Sequence, residues 1–128
     1  FPCGKELEAL ALKNMKKIPK PRICVRDGCC NLSGLQNLAQ KLWEESGDAP
    51  LVAAYTLEFV GATLLEMTAQ LDQQIPGLPI IYAGGVMSNR HLQELLSRRS
   101  NTYFAEPQFS SDNAAGISLL CRRQMRED

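Results

Sequence analysis

The sequence holds one histidine, His91, so no pair of imidazoles can build a metal site from this chain alone. Its cysteines, at 3, 24, 29, 30 and 121, number five, and no C-x-x-C pair occurs. Cys29 and Cys30 are neighbours and poorly placed to bridge each other. This usage predicts a reducing, intracellular compartment, with the thiols serving as small buried hydrophobes. Neither charge sign is in excess, since 14 Lys and Arg balance 14 Asp and Glu. That balance argues against a free-standing nucleic-acid binder and leaves room only for a local basic patch. No uninterrupted apolar run approaches the roughly 20 residues that span a bilayer, and no signal peptide is visible. A cytoplasmic protein without membrane contact is the expectation. Aromatic residues make up 6%. Trp43 and the tyrosines read as packing residues, because no basic stripe interleaves them as a base-stacking platform would need. The chain opens on Phe1-Pro2 and not on Met, so a piece of a longer protein is expected.

What is present is ordinary for a soluble α/β domain: 128 residues, 45% hydrophobic and 22% charged, enough for one core. Phe1-Pro2-Cys3-Gly4 leads as a turn into a helix from Lys5 to about Met15, with Leu7, Leu10 and Ala11 at helical spacing. Lys16 to Arg22, broken by Pro19 and Pro21, reads as an extended connection. Asp27-Gly28 between two β-prone pieces, Ile23–Val25 and Cys29–Leu32, predicts a hairpin. Ser33 is expected to cap the next helix, with Gln36 reaching back. Leu35, Leu38, Ala39 and Leu42 give that helix one apolar face. After a polar break over Glu44 to Pro50, Asp48 and Pro50 mark the start of the longest helix, which runs to about Gln74. Its apolar residues, Leu57, Val60, Leu64, Met67 and Leu71 with Tyr55 and Phe59, predict burial on more than one side. Pro79 to Ala83 reads as a central strand buried on both faces. Ser88 should cap a following helix carrying Leu92, Leu95 and Leu96. Thr102 to Ala105 is another strand. A last helix from about Ser110 presents Ala114, Ile117, Cys121 and Met125 on one face. The strand–helix–strand–helix order implies a mainly parallel sheet.

Two segments could carry chemistry. In Ile80 to Asn89 a strand ends in Gly84-Gly85 and a helix follows at once. Glycines let the backbone approach a ligand closely, and the free N–H groups of a helix start suit an anionic or polar ligand. Open α/β sheets bind ligands at this end of their strands. A tight β–α turn with no ligand is the equal alternative. In Ser110-Ser111-Asp112-Asn113-Ala114-Ala115-Gly116, Asp112 stands at a helix start, where a carboxylate also serves as a simple cap. The small residues after it permit close approach. His91 reads as a solvated surface residue, and Lys16 to Arg22 as a solvated linker.

Four segments together resemble the TsaD family, once described as O-sialoglycoprotein endopeptidases. Phe1-Pro2-Cys3-Gly4 resembles its F/Y-P-G-G motif, and Asn31-Leu32-Ser33-Gly34-Leu35-Gln36 its F-S-F-S-G-L-K motif. Ala83-Gly84-Gly85-Val86-Met87-Ser88-Asn89-Arg90-His91-Leu92 is similar to A-G-G-V-x-A-N-x-x-L. Ser111-Asp112-Asn113-Ala114-Ala115 is similar to T-D-N-G/A-A. They follow the family's order and span nearly the whole chain. The resemblance implies an α/β fold, the second lobe of an actin-like ATPase (ribonuclease H-like) protein with a helical N-terminal segment. Residues 1–128 would be a single C-terminal lobe, with a helix, hairpin and helix segment over 1–50 and a nucleotide-cleft segment over 51–128. Gly4 and Asn89 would contact the nucleoside of a bound adenylate, Gly84 and Gly85 would shape the same pocket, and Asp112 would be the lobe's one metal ligand. The implied cofactors are a divalent metal (iron, zinc or magnesium) and an adenine nucleotide or threonylcarbamoyl-adenylate. The metal would act as a Lewis acid, and the acceptor would be an adenosine of tRNA. The implied partners are the absent N-terminal lobe with its His-x-x-x-His pair, an actin-like partner subunit, and tRNA in the full protein only. The isolated fragment would be inactive and would self-associate through the surface left open. Cys3 stands where the family has glycine, Gln36 where it has lysine, and Ser111 where it has threonine. These departures keep open a non-catalytic actin-like paralogue acting as a binding or scaffolding subunit, and, less well, a sugar- or acyl-kinase relative. The peptidase description finds no nucleophile–base pair here.

Overall fold

The computed structural model describes residues 3–106, 108 and 114–127. Helix α1 spans Cys3–Ala11 and is followed by an extended stretch. Strands β1 (Val25–Arg26) and β2 (Cys29–Cys30) form an antiparallel hairpin, with Val25 opposite Cys30 and Arg26 opposite Cys29. Its turn is Asp27-Gly28, with φ of 52° and 72°. Positive φ at both central residues is the twist a two-residue hairpin needs. Helices α2 (Leu35–Ser46) and α3 (Ala49–Gln74) follow, then β3 (Ile80–Tyr82), a short 3-10 turn over Gly85–Ser88, α4 (Arg90–Leu96), β4 (Thr102–Phe104) and α5 (Ala114–Glu127). β3 and β4 pair in parallel, with Ile80 against Thr102, Ile81 against Tyr103 and Tyr82 against Phe104. The α/β character read from the sequence, including the parallel crossover through a helix, is therefore present.

α3 organises everything else: α1, α2, α4 and the hairpin all pack on it. The α2–α3 break is two residues, Gly47 in the left-handed region at φ 58° and Asp48 as cap. The Asp48 carboxylate accepts from Leu51 N–H at 3.0 Å and pairs with Lys16 Nζ at 2.7 Å. Leu51, Ala53, Ala54, Tyr55, Leu57 and Phe59 are buried, on several sides of the helix as expected. Gly61 has a packing reason: a Cβ there would lie 2.6 Å from Leu95 Cδ2 and 3.3 Å from Leu92 Cδ2. A glycine weakens a helix interior, and here it lets α4 come close. Leu92, Leu96 and Met87 then close a cluster with Val60, Leu64, Tyr82 and Phe104. Arg99 locks the far end. Its guanidinium donates to both Asp72 carboxylate oxygens, Nε to Oδ2 at 2.7 Å, and Nη2 also to Leu78 C=O at 2.8 Å. This ties the C-terminus of α3 to the turn before β3.

Several expectations are corrected. Cys3 and Gly4 lie within the first turn of α1 and not in a turn before it, and α1 stops at Ala11, leaving Leu12 and Met15 exposed. Ser33 does not cap α2: its hydroxyl and N–H both turn to Asn31 Oδ1, and Gly34 is the cap residue, with no side-chain bond. Ser88 does not cap α4 either, because a 3-10 turn intervenes and Asn89 takes that place. β3 is not buried on both faces, since Ile81 is 72% exposed on the side away from α3. All five cysteines are exposed, the hairpin pair because β1 and β2 are too short and too peripheral to be covered. Trp43 and Tyr103 are about half exposed, and Cys121 and Met125 of the expected α5 face are exposed too, Met125 at 81%, in both cases more than packing residues would be. Finally, α3 is long and apolar enough by length and composition to cross a membrane, contrary to the reading of the sequence. Its burial against α1, α2 and α4 makes it the core helix of this domain.

Candidate functional site

The turn after β3 is built by conformation before packing. Gly84 has φ 107° and ψ 159°, a region that side chains rarely enter. The chain then coils through Gly85–Ser88, closed by Met87 N–H to Gly84 C=O (3.0 Å) and Asn89 N–H to Val86 C=O (3.2 Å). Met87 anchors the turn in the core while Val86 points outward. A Cβ added at Gly84 or Gly85 would meet no atom within 4 Å. Packing therefore does not require glycine at 85, and the space above the backbone is open to a ligand.

Asn89 is buried, and its Oδ1 accepts from Leu92 N–H at 3.0 Å. One N–H of the α4 start is thus already satisfied. A second is taken by a residue outside the four motifs: Arg90 N–H donates to Glu8 Oε1 of α1 at 2.9 Å. The expectation that this helix start offers its free N–H groups to an anion is corrected accordingly. A side-chain amide and a carboxylate fill part of it from within the protein. The same bond joins α1, which carries Gly4, to the residue after Asn89. Gly4 itself is exposed, with nothing within 4 Å of a Cβ. Two of the motif-bearing segments, far apart in sequence, are thereby physically linked. No feature of a single sequence connects position 8 to position 90.

His91 lies next along α4, half exposed, with Nε2 3.6 Å from Glu58 Oε2 of α3. Its partial exposure is in keeping with a surface role. Among the described residues no group of three or more His, Cys, Asp or Glu could hold a metal ion. Asp112, with the rest of Phe109 to Asn113, lies outside the described residues, as do Phe1 and Pro2.

No protein-family profile matches the chain. Curated relatives do. The chain is 30% identical over 133 residues to the tRNA N6-adenosine threonylcarbamoyltransferase of Aromatoleum aromaticum, an alignment covering 93% of this chain and 38% of that protein. The protein of the same name from Methanopyrus kandleri is 30% identical, covering 91% and 35%. That of Rickettsia canadensis is 31% identical, covering 92% and 40%. The chain is homologous to the TsaD family. Similarity to bacterial and archaeal proteins of one name, across nearly all of this chain, bears out the resemblance carried by the four motifs. This TsaD homologue spans about two-fifths of the length of the relatives it matches.

Proposed function

We propose that this chain is the C-terminal, nucleotide-binding lobe of a TsaD-like protein that transfers a threonylcarbamoyl group from its adenylate to a tRNA adenosine. The observation that carries the reading is the open Gly84-Gly85 turn, joined through Asn89, Arg90 and Glu8 to the helix bearing Gly4. In this reading Gly84 and Gly85 let the adenosine lie against the backbone, with Asn89 and Gly4 flanking it. Because the start of α4 is partly filled by Asn89 and Glu8, the wall suits a neutral nucleoside better than a bare phosphate. The described residues do not make a metal site. A divalent metal would need Asp112 together with ligands from outside this chain. The acyl donor bound here would supply an activated carbamoyl carbon. The protein's part is to fix the adenosine end and hold that carbon toward the acceptor amine.

The structure offers a clean test. A Cβ at position 85 would meet no protein atom within 4 Å and its φ lies outside the left-handed region, so Gly85→Val should change the melting curve little while filling the proposed cradle. Calorimetric titration with AMP, a stand-in for the adenylate, should detect binding to the native chain and at least about tenfold weaker binding to Gly85→Val. Equal AMP affinity in the two proteins would refute the cradle.

A further inference from the structure

The sequence contains one Asp-Gly step and no Asn-Gly step, and the Asp-Gly step, Asp27-Gly28, is the turn of the hairpin. In such a dipeptide the glycine nitrogen can attack the aspartate's own side-chain carboxyl, because glycine has no Cβ to crowd the approach. Both residues are exposed, and Asp27 is held in the left-handed region at φ 52°. What opposes the attack is a contact of this fold. Gly28 N–H, on the nitrogen that would attack, donates to Gln70 Oε1 of α3 at 3.1 Å. Gln70 is itself held, since its Nε2 donates to Glu66 Oε1 at 2.9 Å and reaches Val25 C=O at 3.5 Å. One side chain of α3 thus grips the turn at Gly28 and the strand before it at Val25.

We propose that Asp27 is a site of spontaneous isoaspartate formation, restrained by Gln70 through its hold on Gly28 N–H. The Gly28 nitrogen forms a bond to Asp27 Cγ and gives up its proton, and a carboxyl oxygen leaves Cγ as water. The product is a cyclic imide. Water then adds back. Opening at Cγ restores the aspartate, and opening at the main-chain carbonyl leaves Gly28 joined through Cγ, the isoaspartyl link. The water lost is regained, and nothing is oxidised or reduced. The reacting groups and the restraint all lie within this chain, so the reaction needs no partner and is independent of the adenylate reading. Its consequence is one of length. An isoaspartyl main chain runs through Cβ and Cγ and is one carbon longer. A two-residue turn sets the register of its strands, so the pairs Val25–Cys30 and Arg26–Cys29 would be lost. The hairpin would then come away from Gln70.

Two substitutions isolate the restraint. Gln70→Met keeps the side chain's length and removes the acceptor, whereas Gln70→Glu keeps an acceptor for Gly28 N–H. Folded samples are incubated at physiological temperature, and isoaspartate is counted with an isoaspartyl-specific methyltransferase and placed by peptide fragmentation. The native chain should gain isoaspartate slowly at position 27. Gln70→Met should gain it about fivefold faster, the effect of losing one hydrogen bond on a rate. Gln70→Glu should stay close to the native rate. In urea, where the contact is gone, the native chain and Gln70→Met should react at one common, faster rate. Equal rates in the folded native chain and folded Gln70→Met overturn the restraint, and so does a Gln70→Glu rate as fast as that of Gln70→Met. No isoaspartate at position 27 in the unfolded native chain overturns the site itself.

Discussion

Asp48 and Asp72 are carboxylates whose charged form the fold favours. The Lys16 ammonium, hydrogen-bonded to Asp48, lowers its pKa below the ordinary 3.8, and Leu51 N–H adds to the effect. Arg99 does the same for Asp72. A carboxylate with a depressed folded pKa contributes stability above its unfolded pKa, and that contribution is lost as pH falls through the folded value. Melting temperature should therefore be level with respect to these groups down to about pH 5 and fall below about pH 4. Asp48→Asn with Asp72→Asn should flatten that acid slope, and a native chain with no acid slope would contradict the assignment. At Arg99 the planar fork matters as much as the charge. Arg99→Lys cannot reach both Asp72 oxygens and Leu78 C=O together, so it should lower the melting temperature nearly as far as Arg99→Ala. At Asn89 the cap and the proposed ligand contact can be separated. Asn89→Ala should cost about 1 kcal/mol in denaturant unfolding, whereas Asn89→Ser, which still caps, should cost a few tenths.

Among the elements, α3 and the hairpin were legible in the sequence because their signals are local. Asp48 with Pro50 fixes where α3 starts, and Asp27-Gly28 which turn the hairpin takes. The capping assignments at Ser33 and Ser88 failed for a local reason too. A serine near a helix start competes with other acceptors, and Asn31 claimed one serine while an intervening 3-10 turn displaced the other. What no periodicity could show is how near α4 comes to α3, or that Glu8 reaches Arg90. Both depend on residues far apart in sequence. The α3–α4 contact is testable at Gly61, where a β-branched side chain would drive into Leu95 and Leu92. Gly61→Val should destabilise by about 1–3 kcal/mol in denaturant unfolding. No loss would mean the helices sit farther apart than described. The burial of β3 on both faces was misjudged because an apolar run looks the same whether one face or two are covered. Here the face opposite α3 carries exposed Ile81.

At the scale of the whole molecule, the motifs were the most legible part of the candidate site and its geometry the least. Gly84, Gly85 and Asn89 were identified by type and spacing, and they form one continuous turn from β3 to α4. Gly4 joins them only through the Glu8 bridge. The chain is similar over nearly all its length to part of proteins more than twice as long, and the open glycine turn gives it a proposed task like theirs. The most direct test of that task is to follow the backbone amide signals of the native chain by nuclear magnetic resonance while AMP is added. The account predicts saturable shifts concentrated at Gly4, Gly84, Gly85 and Asn89, and their loss in Gly85→Val. Shifts confined to other surfaces, or none at AMP concentrations that saturate an adenylate site, would contradict it.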